Sequence, residues 1–147
     1  MRVRLATASA LALLAVSAAC YRPSAKCREF YAMAPADRAA KVRSSPADEQ
    51  LDLYHCGMMQ EPPADFSGVI AERGEQVLPA LLDRLESTEE ESFQDDLIHV
   101  LEVMAKAGKL RQRRDVVERV RGVVSKMKFD QFKGSAQKRL ATIEGSV

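Results

Sequence analysis

Tryptophan is absent from this 147-residue chain, and aromatic residues of all kinds make up 5% of it. Glycine, proline and histidine are also few, at 7, 6 and 2 residues. No stretch shows the strand-like alternation of apolar and polar residues that a sheet requires. The usual parts of a catalytic or nucleotide site are missing too. There is no glycine-rich phosphate loop, no HExxH and no GxSxG. A zinc site would need a second closely spaced ligand pair, which the chain lacks. Formal net charge is only +1, so overall charge identifies no partner. The basic C-terminal segment lacks interleaved stacking aromatics, so nucleic acid is not expected. No enzyme activity and no cofactor are expected from this inventory.

What remains is rich in Leu, Ala, Val, Glu, Lys and Arg, the composition of a helical protein. The length suits a single domain. The clearest signal lies between Val77 and Met104. Val77, Leu78, Leu81, Leu82 and Leu85 fall on one face of a helix. Pro79 is tolerable there if the helix begins near Glu75, because first-turn N–H groups have no intrahelical partner. A polar loop follows, with Ser92 as the expected N-cap of the next helix. Phe93, Leu97, Val100, Leu101 and Met104 then form a second stripe, and Gly108 suits the left-handed position past its end. Two such helices joined by a short loop are expected to pack antiparallel.

The pattern recurs 39 residues on. Val77, Leu78, Leu81 and Leu85 map to Val116, Val117, Val120 and Val124, while Phe93, Leu97, Leu101 and Met104 map to Phe132, Ala136, Leu140 and Ile143. Arg121 in place of Leu82 and Arg139 in place of Val100 interrupt the series. The segment VLPALLDRLESTEEESFQDDLIHVLEVM, with its LPxLLxxL first helix and apolar second helix, resembles a HEAT repeat. The match is good over 75–105 and weaker over 110–144. The resemblance implies an all-α fold of antiparallel hairpins stacked as a short HEAT-like α-solenoid, of the kind that serves as a scaffold or binding surface. An ordinary small helical bundle is the other reading of the same spacing. Further helices are expected over 24–33, 35–43 (beginning at Pro35) and 46–60, the last capped by Ser45. A short one follows Asp65. The 46–73 pair reads as a degenerate first repeat.

The N-terminus reads differently. Arg2 and Arg4 precede an uncharged, mostly apolar run from Leu5 to Val16, too short to span a bilayer comfortably. Ser17, Ala18 and Ala19 supply the small residues of a cleavage site. Residues 1–19 are therefore expected to be a secretory signal peptide of bacterial type, with 20–26 as a short tether and 27–147 as the helical domain. The run Val16-Ser17-Ala18-Ala19-Cys20 looks like a lipobox, the signal of bacterial lipoproteins, although Ser17 stands where Leu is commoner. That resemblance implies lipid on Cys20 and a protein anchored in the bacterial cell envelope, facing the periplasm or exterior. A soluble exported protein cleaved at the same bond is the alternative. With Cys20 lipidated, Cys27 and Cys56 remain as an even pair in an oxidising compartment, expected to form a disulfide.

Charge is unevenly spread. From Asp48 to Asp96 fourteen acidic residues stand against Arg73 and Arg84, a sum of −12, and from Lys106 onward twelve basic residues stand against four acidic ones, a sum of +8. The simpler reading is solvated helix faces with i,i+4 pairs such as Arg111–Asp115, Arg114–Glu118 and Asp115–Arg119. The sharper one is a basic end that meets an acidic partner or anionic headgroups. His99 reads as a flank residue, the acids at 89–91 and 95–96 as a solvated surface, and Met58-Met59 as core filling. Two functions survive. One is an envelope lipoprotein whose non-catalytic helical domain binds a protein partner. The other is a small helical protein holding an apolar ligand or lipid in a groove between helices.

Overall fold

A computed structural model describes residues 23–147. The signal peptide and the lipid-bearing Cys20 read from the sequence lie outside the described residues. Among the described residues there are eight α-helices and no strand: α1 (Ala25–Ala32), α2 (Pro35–Ser44), α3 (Ala47–Met58), α4 (Ser67–Ala71), α5 (Leu78–Ser87), α6 (Glu91–Lys106), α7 (Arg114–Lys126) and α8 (Asp130–Glu144). The all-α fold is as expected.

Local chemistry explains most of the boundaries. The Ser24 side chain accepts from the Cys27 N–H and caps α1. Pro35 opens α2, where its missing donor costs nothing. Asp65 Oδ1 accepts from the Ser67 N–H at 2.8 Å and sets the start of α4. Pro79 falls in the first turn of α5, directly after a 3₁₀ turn over Gly74–Gln76, so it breaks no helical hydrogen bond. Gly108 has φ +69°, and the Lys109 N–H reaches back to the Met104 carbonyl at 2.9 Å while the Gly108 N–H reaches Ala105. This is the paired-bond stop that a left-handed glycine permits at a helix end.

Two caps differ from expectation. Ser45 ends α2, and Pro46 holds the cap position of α3. Glu90, not Ser92, occupies the cap position of α6, and the Ser92 hydroxyl donates to the Glu90 carboxylate from inside the first turn. The loop before α6 is thus two residues shorter than the Ser92 cap implied.

The helices pack in two rows. α3, α5 and α7 follow one another on one side, and α2, α4, α6 and α8 on the other, with α1 laid against α3. The 39-residue offset reappears in the coordinates: α5 ends at Ser87 and α7 at Lys126, while α6 starts at Glu91 and α8 at Asp130. The core runs between the rows. Leu81, Leu85, Leu97, Leu101 and Met104 are fully buried, and so are their repeat-mates Val120, Ala136 and Ile143. Leu82 is buried, whereas Arg121 at the matching position is 51% exposed and pairs with Glu118 and Glu144. Among the described residues no further layer covers that face, so a leucine there would meet water where the arginine is paired.

The charge asymmetry is spent between layers. Arg119 on α7 bonds both Asp83 and Glu86 on α5, and Arg113 bonds Glu75. Arg139 on α8 bonds Asp95 and Glu102 on α6. None of the three expected i,i+4 pairs forms; Asp115 instead takes Arg113 two residues before it. An acidic middle layer stacked on a basic last one explains most of the uneven distribution. These pairs cross between elements, so each also fixes how the layers sit.

Candidate functional site

The densest group of titratable side chains lies on the face of α6 turned toward α8. Asp95, His99 and Glu102 are spaced i, i+4 and i+7, which stacks them along one side of the helix. Arg139 reaches across from α8. Its Nε lies 3.1 Å from Asp95 Oδ1, its Nη1 lies 3.0 Å from Glu102 Oε2, and Nη1 also faces His99 Nδ1 at hydrogen-bonding distance. Asp65, just before α4, brings Oδ2 to 3.3 Å from His99 Nε2. The Tyr54 hydroxyl on α3 donates to the Asp96 main-chain carbonyl at 3.1 Å. Lys106 closes the row on Glu102 Oε1 at 2.7 Å.

His99 Nδ1 faces both the Arg139 guanidinium and, at 3.3 Å, Glu102 Oε2, while Nε2 faces Asp65, so the ring is held between one cation and two carboxylates. Burial raises the Glu102 carboxyl, but hydrogen bonds from Lys106, His99 and Arg139 outweigh it and hold its pKa down to about 2. Asp65 is likewise lowered, because the Ser67 amide and His99 overcome the cost of its burial. Asp96 goes the other way. Burial and then the neighbouring Asp95 charge raise it to about 7, with Arg139 and His99 opposing. The Tyr54 hydroxyl is raised by burial and by Asp96.

A carboxyl that titrates near neutrality beside an imidazole is the raw material of acid–base chemistry. No groove described here is lined by it, however. The cluster joins α3, α4, α6 and α8, and that is a register-setting arrangement: satisfied in this packing, and costly in any other that leaves the charges buried and unpaired. Among the described residues no group of three or more His, Cys, Asp or Glu side chains is placed to share a metal ion.

The other residues singled out from sequence lie apart from this cluster. Cys27 and Cys56 form a disulfide joining α1 to α3, with Cα atoms 5.2 Å apart. Cys56 therefore offers no free thiol. His55 beside it stacks against Phe93 with ring centres 4.2 Å apart, and its Nε2 lies 3.5 Å from Glu90. Glu91 places Oε1 and Oε2 at 2.7 and 2.9 Å from the backbone nitrogens of Lys128 and Phe129. The acids at 90, 91 and 95 are thus engaged within the protein. Met58 packs on the core, whereas Met59 is 38% exposed and fills nothing.

The grooves are open. One of about 510 Å³ between α5, α6 and α7 is lined by Glu86, Gln94, Glu118, Arg119 and Lys126 together with Gly122 and Val123. One of about 340 Å³ lies at the disulfide, between Ser24, Lys26, Asp52 and His55. No helix among the described residues is long and apolar enough to cross a membrane. The chain matches no family model, no curated protein and no solved structure.

His99 was legible only as a flank residue, Arg139 only as an interruption of the repeat and Tyr54 only as part of an apolar face, and Glu102 was not singled out. A signal existed: Arg139 interrupts an apolar repeat position, and an arginine inside an apolar stripe needs carboxylates opposite it.

Proposed function

We propose that this is an exported, lipid-anchored cell-envelope protein whose short HEAT-like stack is a non-catalytic module for binding a protein partner. The observation that carries this reading is cysteine accounting. Cys27 and Cys56 are bonded to each other, which suits an oxidising compartment. Cys20 is left as the odd cysteine, directly after an apolar run and the small residues at 17–19. A module that binds a protein fits the surface as well. The 510 Å³ groove presents Glu86, Glu118, Arg119 and Lys126, which suit a polar peptide better than a lipid tail. The apolar-ligand reading therefore has less support.

Phase separation in a detergent tests the anchor. The protein should partition into the detergent phase, and Cys20→Ser should move it to the aqueous phase. Wild-type protein found in the aqueous phase would remove the lipid from this account. Crosslinking in the native envelope with mass spectrometry would then identify the partner.

A further inference from the structure

We propose that Phe129, on the connection between α7 and α8, is a second membrane contact that dips into the headgroup region of the bilayer carrying the Cys20 lipid. This rests on the anchored reading above. Three residue steps separate Cys20 from Pro23, where the described chain begins, so the tether spans at most roughly 10 Å. The side of the domain that bears Ser24 is thereby held against the surface.

A continuous line of contacts leads from that side to Phe129. Cys27, one turn into α1, is bonded to Cys56 on α3. His55 reaches Glu90 on the α5–α6 connection. Glu91, the next residue, accepts from the Lys128 and Phe129 N–H groups. The chain entry, the α5–α6 connection and the α7–α8 connection therefore lie along one edge.

Phe129 is the most exposed large apolar side chain among the described residues, at 65%, with Met59 the other at 38%. Its backbone is not loose. One carboxylate holds two successive N–H groups, which fixes the turn and leaves the ring outside, edge to face with Phe132 at 6.5 Å between centres. A rigidly presented exposed aromatic costs solvation in water and gains it in an interface. Lys126, Lys128 and Lys133 are its near neighbours in sequence, and Asp130 beside it and Glu89 and Glu90 on the adjoining connection offset their charge. The contact is hence aromatic, and it should respond weakly to salt or to anionic lipid.

The absence of tryptophan supplies the test, because one introduced indole is the sole reporter. The mature chain from Cys20 carries a single free thiol, which can be coupled to a maleimide lipid in phosphatidylcholine vesicles whose acyl chains are brominated. Phe129→Trp should then show blue-shifted emission quenched by the bromine. Arg111→Trp is the control. It precedes the 13-residue α7, whose length of roughly 20 Å separates it from Phe129, and it should emit as in water. Water-like, unquenched emission at position 129 in vesicle-bound protein overturns the inference. The anchor is read separately, by detergent partition of the natural protein. Blue-shifted emission at 129 in a protein that is naturally aqueous would support the face as lipid-binding while removing the anchor.

Discussion

Replacing Asp96 by Asn should stabilise this protein above neutral pH and do so progressively less as pH falls toward about 4. The Asp96 carboxyl is half-buried on α6, and burial and Asp95 raise its pKa from 3.8 to about 7. The unfolded chain ionises this group near its ordinary value, whereas the folded chain holds the proton until about 7. Between those values the folded state binds the extra proton, so stability falls as pH rises through the window and is level above it. At 1.36 kcal/mol per pH unit the whole span would be worth about 4 kcal/mol. Asp96 keeps contact with water, and screening reduces this to about 1–2 kcal/mol. Asparagine has the same shape without the charge, and the Tyr54 bond goes to the main-chain carbonyl, so it survives. The assay is urea denaturation of Asp96→Asn and wild type, in a chain starting at Tyr21, at about pH 5 and about pH 8. Equal differences at the two pH values, or a less stable Asn variant at the higher one, would refute the placement of an ionised, unpaired carboxylate in this seam.

Glu102 should show the opposite behaviour. Its folded pKa of about 2 lies below the ordinary value, so its stabilisation is complete above about pH 4.5 and disappears as pH falls through about 2; Glu102→Gln should flatten the acid limb of the unfolding curve. Leu101→Ala should cost about 2–5 kcal/mol in chemical denaturation, because Leu101 is fully buried between the rows. Val124→Ala should cost less, about 2 kcal/mol from two lost carbons; with Val124 only 4% exposed, its smaller size rather than exposure at the end of the stack sets the difference. Replacing both Cys27 and Cys56 by Ser should cost about 3–4 kcal/mol, as expected for a bridge closing a loop of 29 residues; an unchanged denaturation midpoint would show that the two helices need no staple.

Apolar periodicity made the helices legible, and the 39-residue offset made the correspondence of α5–α6 with α7–α8 legible. Leucine and valine stripes carry that information locally, residue by residue. The charged seam was less legible because its partners come from four elements far apart in sequence. Asp65 and Tyr54 meet α6 only after α3 and α4 have packed, and no spacing rule within one helix announces such a meeting. The charge imbalance was visible as a count, yet the pairs it forms were misread as local. Arg119 and Arg113 have acids within their own turns, but the parallel neighbour α5 offers Asp83 and Glu86, and the 3₁₀ turn before it Glu75, across the interface. The Ser92 cap failed for a simpler reason: α6 starts two residues earlier than that cap implies, and the Ser92 hydroxyl donates to Glu90.

Intact-mass spectrometry of the protein isolated from its native membranes tests the central proposal most directly. The account predicts a chain that begins at Cys20, carries the added mass of a diacylglyceryl group there, and lacks two hydrogens for the Cys27–Cys56 bridge. An unmodified Cys20, whether at the N-terminus of a shorter chain or inside an uncleaved one, would contradict it.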